Sequence, residues 1–95
     1  MRSYELMFIL KPELDEEATA AAVDKYTNLI ATQGGNVSNV DKWGKRRLAY
    51  EVGGYRDGYY VVVNFAGEPE ASKEVDRVLK ISDEVIKHMV IKLDD

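Results

Sequence analysis

Two apolar runs constrain this chain more than any other feature. Tyr4–Leu10 reads YELMFIL and Tyr59–Phe65 reads YYVVVNF. A short, nearly unbroken apolar run is the mark of a strand buried on both faces, which places each run in the middle of a sheet. The second is also the most β-prone segment of the chain, rich in β-branched and aromatic residues. Central strands need neighbours on both sides and a covering layer, and the remaining sequence must supply them.

It does so in a definite order. Lys11-Pro12 stops the first run. Asp15 then offers a helix N-cap, and Glu16 and Glu17 suit the positive end of the helix dipole. Thr19, Ala22, Val23, Tyr26 and Ile30 recur at helical spacing, and Gly34-Gly35 closes the segment, so a helix is predicted over 15–33. Asn36 to Val52 reads as a long polar strand with an intermittent apolar face at Val37, Val40, Leu48 and Tyr50. Gly53 to Gly58 (GGYRDG) reads as a turn, making a hairpin with the strand at 59–65. Pro69 suits a helix first turn, and Ala71, Val75, Val78, Leu79 and Ser82 mark a second amphipathic helix. Val85 to Leu93 closes the chain as a strand, followed by Asp94-Asp95 as a frayed acidic end.

The order β-α-β-β-α-β is that of the split βαβ, or ferredoxin-like, α+β sandwich. Its four-stranded antiparallel sheet has the order 4-1-3-2, with right-handed crossovers and both helices on one face. Strands one and three then fall in the centre, as their apolar runs require. Strands two and four, which carry basic residues, fall at the edges, where charge discourages unwanted pairing. At 95 residues the chain suits one domain, 1–95, with one two-layer core.

The same topology leaves one sheet face without helices. If Leu6, Phe8, Val61, Val63 and Phe65 face the helices, alternation puts Met7, Ile9, Tyr60, Val62, Met89 and Ile91 on the open face. That patch is larger than a monomer usually exposes, which points to a protein partner or self-association. The alternative is a face partly closed by the long hairpin or the termini.

The net charge is -4, yet Lys42, Lys45, Arg46 and Arg47 stand within six residues that hold no acid. Acids gather elsewhere: Glu13 to Glu17, and the stretch from Glu68 to Glu84. Screening over roughly 8–10 Å lets a local basic patch meet phosphate while acids sit on another side. In an extended strand Lys45 and Arg47 point one way and Arg46 the other, so cations line both sides of a sheet edge. Arginine suits phosphate through its fixed fork of donors. Trp43 and Tyr50 flank the cluster and are placed either to stack on unpaired bases or to pack under the hairpin. Arg2, Lys87 and Lys92 are expected to join the patch, because strands one and four are neighbours.

Catalysis has little support. The one histidine, His88, reads as a surface or rim residue, and no cysteine is present, so no Cys-His pair, thiolate site or histidine metal cluster is available. Gly53, Gly54 and Gly58 do not spell a phosphate loop. The first residues lack the pattern of a signal peptide, and no apolar run approaches a membrane span. A cytoplasmic protein with no cofactor, no metal, no membrane contact and no small-molecule substrate is expected.

MR-x-YE at the start, K-P after the first strand, WGKRRLAY at Trp43–Tyr50 and HMVIK at His88–Lys92 resemble the bacterial small-subunit ribosomal protein six family over essentially the whole chain. The resemblance implies a ferredoxin-like fold, binding to 16S ribosomal RNA in the central domain of the small subunit, and a heterodimer with small-subunit ribosomal protein eighteen. It carries Arg2, Lys45, Arg46, Arg47 and Lys92 onto basic positions of the family pattern, as RNA contacts. Some members run on into an acidic or extended C-terminal tail, whereas this sequence stops at Asp95. Two other readings use the same element order. An RRM-like module would bind single strands on the open sheet, but YYVVVNF lacks the aromatic signature of that strand. A ferredoxin-like ligand-binding regulatory domain, or an acylphosphatase-type enzyme, would want a phosphate-cradling loop after strand one, where Lys11 to Asp15 offers proline and acids.

Overall fold

The computed structural model describes residues 1–93; Asp94-Asp95, read as a frayed end, lie outside them. The elements are β1 (Arg2–Leu10), α1 (Glu16–Thr32), β2 (Asn36–Val52), β3 (Tyr55–Gly67), α2 (Pro69–Lys80) and β4 (Val85–Lys92). They form one four-stranded sheet of order β2-β3-β1-β4, which is 4-1-3-2 read from the other side. β1 pairs antiparallel with both β3 and β4, and β2 with β3. The architecture is the expected ferredoxin-like sandwich. Among the described residues, no helix is long and apolar enough to cross a membrane.

Local signals set the helix ends. The Ala18 N–H donates to Asp15 Oδ1 at 2.7 Å, satisfying one of the open donors of the first turn of α1. At the other end the Gly35 N–H donates to the Ile30 carbonyl at 2.9 Å. Pro69 opens α2 at its first position, and Glu68 before it makes no side-chain cap. Ser82, placed by spacing on this helix, lies just beyond it.

Packing follows the predicted faces. Leu6, Phe8, Val61, Val63 and Phe65 point toward the helices and are buried with Ala22, Val23, Tyr26 and Ile30 of α1 and Val75 and Leu79 of α2. Phe8 meets Tyr26 edge-on, with centroids 5.4 Å apart at 72°, and Tyr4 stacks on Phe65 at 5.3 Å. Burying the Tyr26 ring requires a partner for its phenol. The hydroxyl donates to Glu84 Oε1 at 2.8 Å, and Lys25 Nζ reaches the same oxygen at 3.1 Å. Burial pushes the Tyr26 phenol up.

The Tyr26 hydrogen bond, with smaller help from Lys25, holds the Glu84 carboxyl below its ordinary value of 4.5. A carboxyl depressed in the folded state stabilises above its unfolded value and loses that contribution as pH falls through its lower folded value. Stability is therefore expected to drop as pH is taken below 4.5. Glu84→Gln should flatten that part of the profile. Denaturant melts from pH 7 to 2.5 check this, and an unchanged slope in the variant would contradict it.

The hairpin differs from the expected one. The turn is two residues, not six: Val52 pairs with Tyr55, and Gly53 and Gly54 stand at φ 57° and 85°. A two-residue loop that matches the strand twist needs positive φ at both positions, which glycine accepts without a steric penalty. β3 accordingly begins at Tyr55, and Gly58 lies inside it. Gly58 is there for space: a Cβ would come within 2.2 Å of Ile9 Cγ2. Ile9 fills the room that a side chain would otherwise take.

Candidate functional site

β2 is an edge strand, and it is irregular. Its register against β3 slips between Val37 and Asn39, between Lys42 and Gly44, and again between Arg47 and Val52. Each of the first two slips adds a residue without a direct partner and resets the alternation of side chains. Paired residues in an antiparallel ladder share a face. Val37 and Val40 therefore lie on the helix side, opposite Phe65 and Val63. So do Lys42, opposite Val61, and Lys45, opposite Tyr59, although three positions separate them. Both lysines line a shallow cleft of about 610 Å³ with Asp15, Glu16 and Thr19 at the start of α1. Arg47, opposite Asp57, stands on the same side, with its Nε 3.9 Å from Asp57 Oδ1.

Arg46 pairs with Gly58 and points to the open face. There it joins Trp43, whose ring centroid is 5.4 Å from the Arg46 guanidinium carbon. The indole lies nearly parallel to Tyr60, at 6.1 Å and 10°, and its Nε1–H donates to Asp41 Oδ2 at 2.9 Å. Trp43 is 45% exposed, so it caps no core. Among the described residues, Lys42, Lys45 and Arg46 have no carboxylate partner.

The other basic residues divide. Lys87 belongs to this end of the sheet. It pairs with Ile9, which pairs with Tyr60, which faces Gly44 across β2. Tyr50, from the outer part of β2, reaches Lys87: the Nζ donates to its hydroxyl at 3.4 Å and lies 5.6 Å from its ring centroid. Arg2 and Lys92 do not join. Arg2 pairs with Gly67 and Lys92 with Tyr4, whereas Lys45 lies opposite Tyr59, the partner of Leu10. From Arg2 to Leu10 is eight steps along β1, roughly 26 Å at about 3.3 Å per residue. Neighbouring strands alone did not bring these cations together, because register puts them at opposite ends. Arg2 and Lys92 make a separate basic corner.

The open face carries Met7, Ile9, Tyr60, Val62, Met89 and Ile91, as alternation placed them. It is not uniformly exposed. Met89 is 41% and Ile91 40% exposed, and Met7 and Tyr60 are half-buried. Ile9 and Val62 are buried. This corrects the expectation of a patch formed by all six. Ile9 sits down over Gly58, and Val62 lies in a central strand between Met7 and Asp41. The accessible apolar strip is therefore the β4 side of the face.

His88 departs from expectation too. It points to the helix side, only 16% of its side chain is exposed, and Nε2 lies 2.8 Å from Asp76 Oδ1 on α2. A carboxylate can only accept, so the ring donates. The contact pins β4 to α2 rather than placing an imidazole at the rim. The two bulges and the Arg46–Trp43–Tyr60 group were missed from sequence. The one available signal was Gly44 in the middle of a polar strand, which often marks a bulge.

Comparison with known proteins agrees with the fold. The family described as Ribosomal protein S6 matches residues 3–92. The chain is 54% identical over 95 residues to the small ribosomal subunit protein bS6 of Moorella thermoacetica, covering 100% of this chain and 97% of the relative. It is 54% identical over 91 residues to the protein of the same name from Clostridium botulinum, covering 96% and 97%. The crystal structure of 30S ribosomal protein S6 from Thermotoga maritima superposes with a TM-score of 0.93 at 27% identity, over 97% of this chain and 87% of that one.

Proposed function

The chain belongs to the ribosomal protein S6 family, and on that premise we propose that it binds 16S ribosomal RNA in the central domain of the small subunit, paired with small-subunit ribosomal protein eighteen. Family membership makes it a protein of the small ribosomal subunit, located in the ribosome in the bacterial cytoplasm, with ribosomal RNA and ribosomal proteins as its surroundings. It acts as one RNA-binding domain over residues 1–95, and its work is assembly, not catalysis.

One observation carries the RNA reading. In a chain of net charge -4, four cations crowd one exposed strand edge, and three of them lack a carboxylate partner among the described residues. Edge protection alone would be served by any charges, paired or not. Unpaired cations on both sides of an edge suit a backbone of phosphates. Neutralising phosphates releases condensed counterions, a gain that shrinks as salt rises. A patch this small reads little sequence, so RNA shape and a second protein must supply specificity.

The open face suits the protein partner. Met89 and Ile91 are exposed beside half-buried Met7 and Tyr60, on a sheet face without helices. Pairing two weak RNA-binding surfaces on one particle makes the second contact intramolecular and raises affinity without new contacts.

Binding to a central-domain 16S fragment, with and without ribosomal protein eighteen, tests this reading. Alone, the chain should bind no tighter than nonspecific association, about 10⁻⁶–10⁻⁴ M. With the partner, binding should tighten by at least tenfold, and Ile91→Glu should remove the partner's help. Tight, partner-independent binding would contradict the proposal.

A further inference from the structure

Trp43 is open to three roles from sequence: stacking on an unpaired base, packing on the protein partner, or packing within the chain. We infer another, which rests on the RNA reading above: Trp43 is a positioning residue that aims Arg46 at the RNA, while its own ring takes no base.

The indole is already committed. Trp43 and Gly44 together occupy the bulge opposite Tyr60, and Gly44 holds φ at 85°, a backbone conformation unfavourable for residues with a Cβ. That backbone sets where the indole leaves the strand. Its Nε1–H is held by Asp41 at 2.9 Å, and its ring lies within 10° of parallel to Tyr60. A base that stacked on Trp43 would compete with Tyr60 and Arg46 for the same ring.

Arg46 is the group left available. Its guanidinium carbon lies 5.4 Å from the indole centroid, inside the roughly 6 Å reach of a cation–π contact. A guanidinium resting on a ring keeps its N–H donors directed outward in its own plane, as bidentate phosphate contact requires. Its neighbours are differently placed. Arg47 has Asp57 at 3.9 Å and Arg56 has Glu51 at 3.6 Å, so each has an acid to leave before meeting phosphate. Arg46 has a ring beneath it and no carboxylate partner among the described residues. A long side chain ordered in advance loses less freedom on binding.

The test uses the full chain with ribosomal protein eighteen and the central-domain 16S fragment. Trp43→Leu should weaken binding about threefold to tenfold, the range one cation–π contact supports. Trp43→Phe keeps a flat ring under Arg46 and should lose less than about threefold. In an Arg46→Ala background, Trp43→Leu should add nothing, because the two residues act as one unit. Trp43 is the single tryptophan of this chain, so with a tryptophan-free form of the partner emission reports on this ring alone, and it should survive RNA binding largely intact. Two results would overturn the inference: an undiminished effect of Trp43→Leu in the Arg46→Ala background, or strong quenching of Trp43 on RNA binding. Thermal melts separate these outcomes from misfolding, and Trp43→Phe stands as the arm where Trp43→Leu fails to fold. Failure of the unaltered pair to bind would overturn the RNA reading itself, and is recognised without any variant.

Discussion

Phe8→Ala is expected to destabilise the fold by about 3–5 kcal/mol, the usual cost of removing a buried aromatic ring. Phe8 is fully buried on the helix side of a central strand. Val61 and His88 flank it on the neighbouring strands, and Tyr26 of α1 packs edge-on against it. The sheet fixes the backbone on both sides, so the site has little freedom to collapse around a lost ring. Against a total stability of about 5–15 kcal/mol, that loss removes a large fraction of the margin. Met7→Ala is the control. Met7 is the adjacent residue on the same strand, half-buried on the open face, and should cost only about 1 kcal/mol. Urea unfolding of the three proteins measures both values. Similar losses at the two positions would contradict the assignment of faces.

Joint replacement of Arg46 and Arg47 by alanine should weaken RNA binding by the chain and its partner about thirtyfold or more. A hydrogen bond to a charged group is worth about 1.5–3 kcal/mol, so Arg46→Ala alone should cost about tenfold or more. Arg47→Ala should cost less, about threefold, because Arg47 gives up its contact with Asp57 when it turns to phosphate. Both side chains lie on the surface of an edge strand, so stability should stay within about 0.5 kcal/mol of the parent. That separation matters: a loss of RNA binding without a loss of stability is a statement about the interface. Filter binding against the same fragment, beside thermal melts, gives both numbers.

The fold was legible because the apolar pattern and the topology impose the same demand. YELMFIL and YYVVVNF have to be central, and the order 4-1-3-2 puts them there. The N-cap at Asp15 and proline at the start of α2 gave the helix starts closely. The turn was misread because Gly58 resembles a turn glycine. Its reason for being glycine is Ile9, 49 positions earlier in sequence, whose side chain occupies the space. No local pattern contains that contact.

The site was legible as a composition and not as a geometry. Four cations in six residues are visible by inspection. Strict alternation would put Lys42 and Lys45 on opposite faces, yet one extra residue at the bulge puts both on the helix side. Register likewise decides that Lys87 shares a row with Tyr60, while Arg2 and Lys92 form a corner of their own. The proposal of a particular RNA and a particular protein partner rests on the family signature, since charge and exposure name only the chemistry of a partner.

The most direct measurement of the central claim is the salt dependence of RNA binding. The unaltered chain with ribosomal protein eighteen is titrated against the central-domain 16S fragment from 50 to about 300 mM salt, and then the Arg46→Ala, Arg47→Ala variant. Each phosphate contact contributes about 0.7–0.9 to the slope of log affinity against log salt. If the basic edge strand meets phosphate, the variant's slope should be shallower by about one to two. An unchanged slope, whatever the change in affinity, would contradict the account, because it would mean that Arg46 and Arg47 neutralise no phosphate.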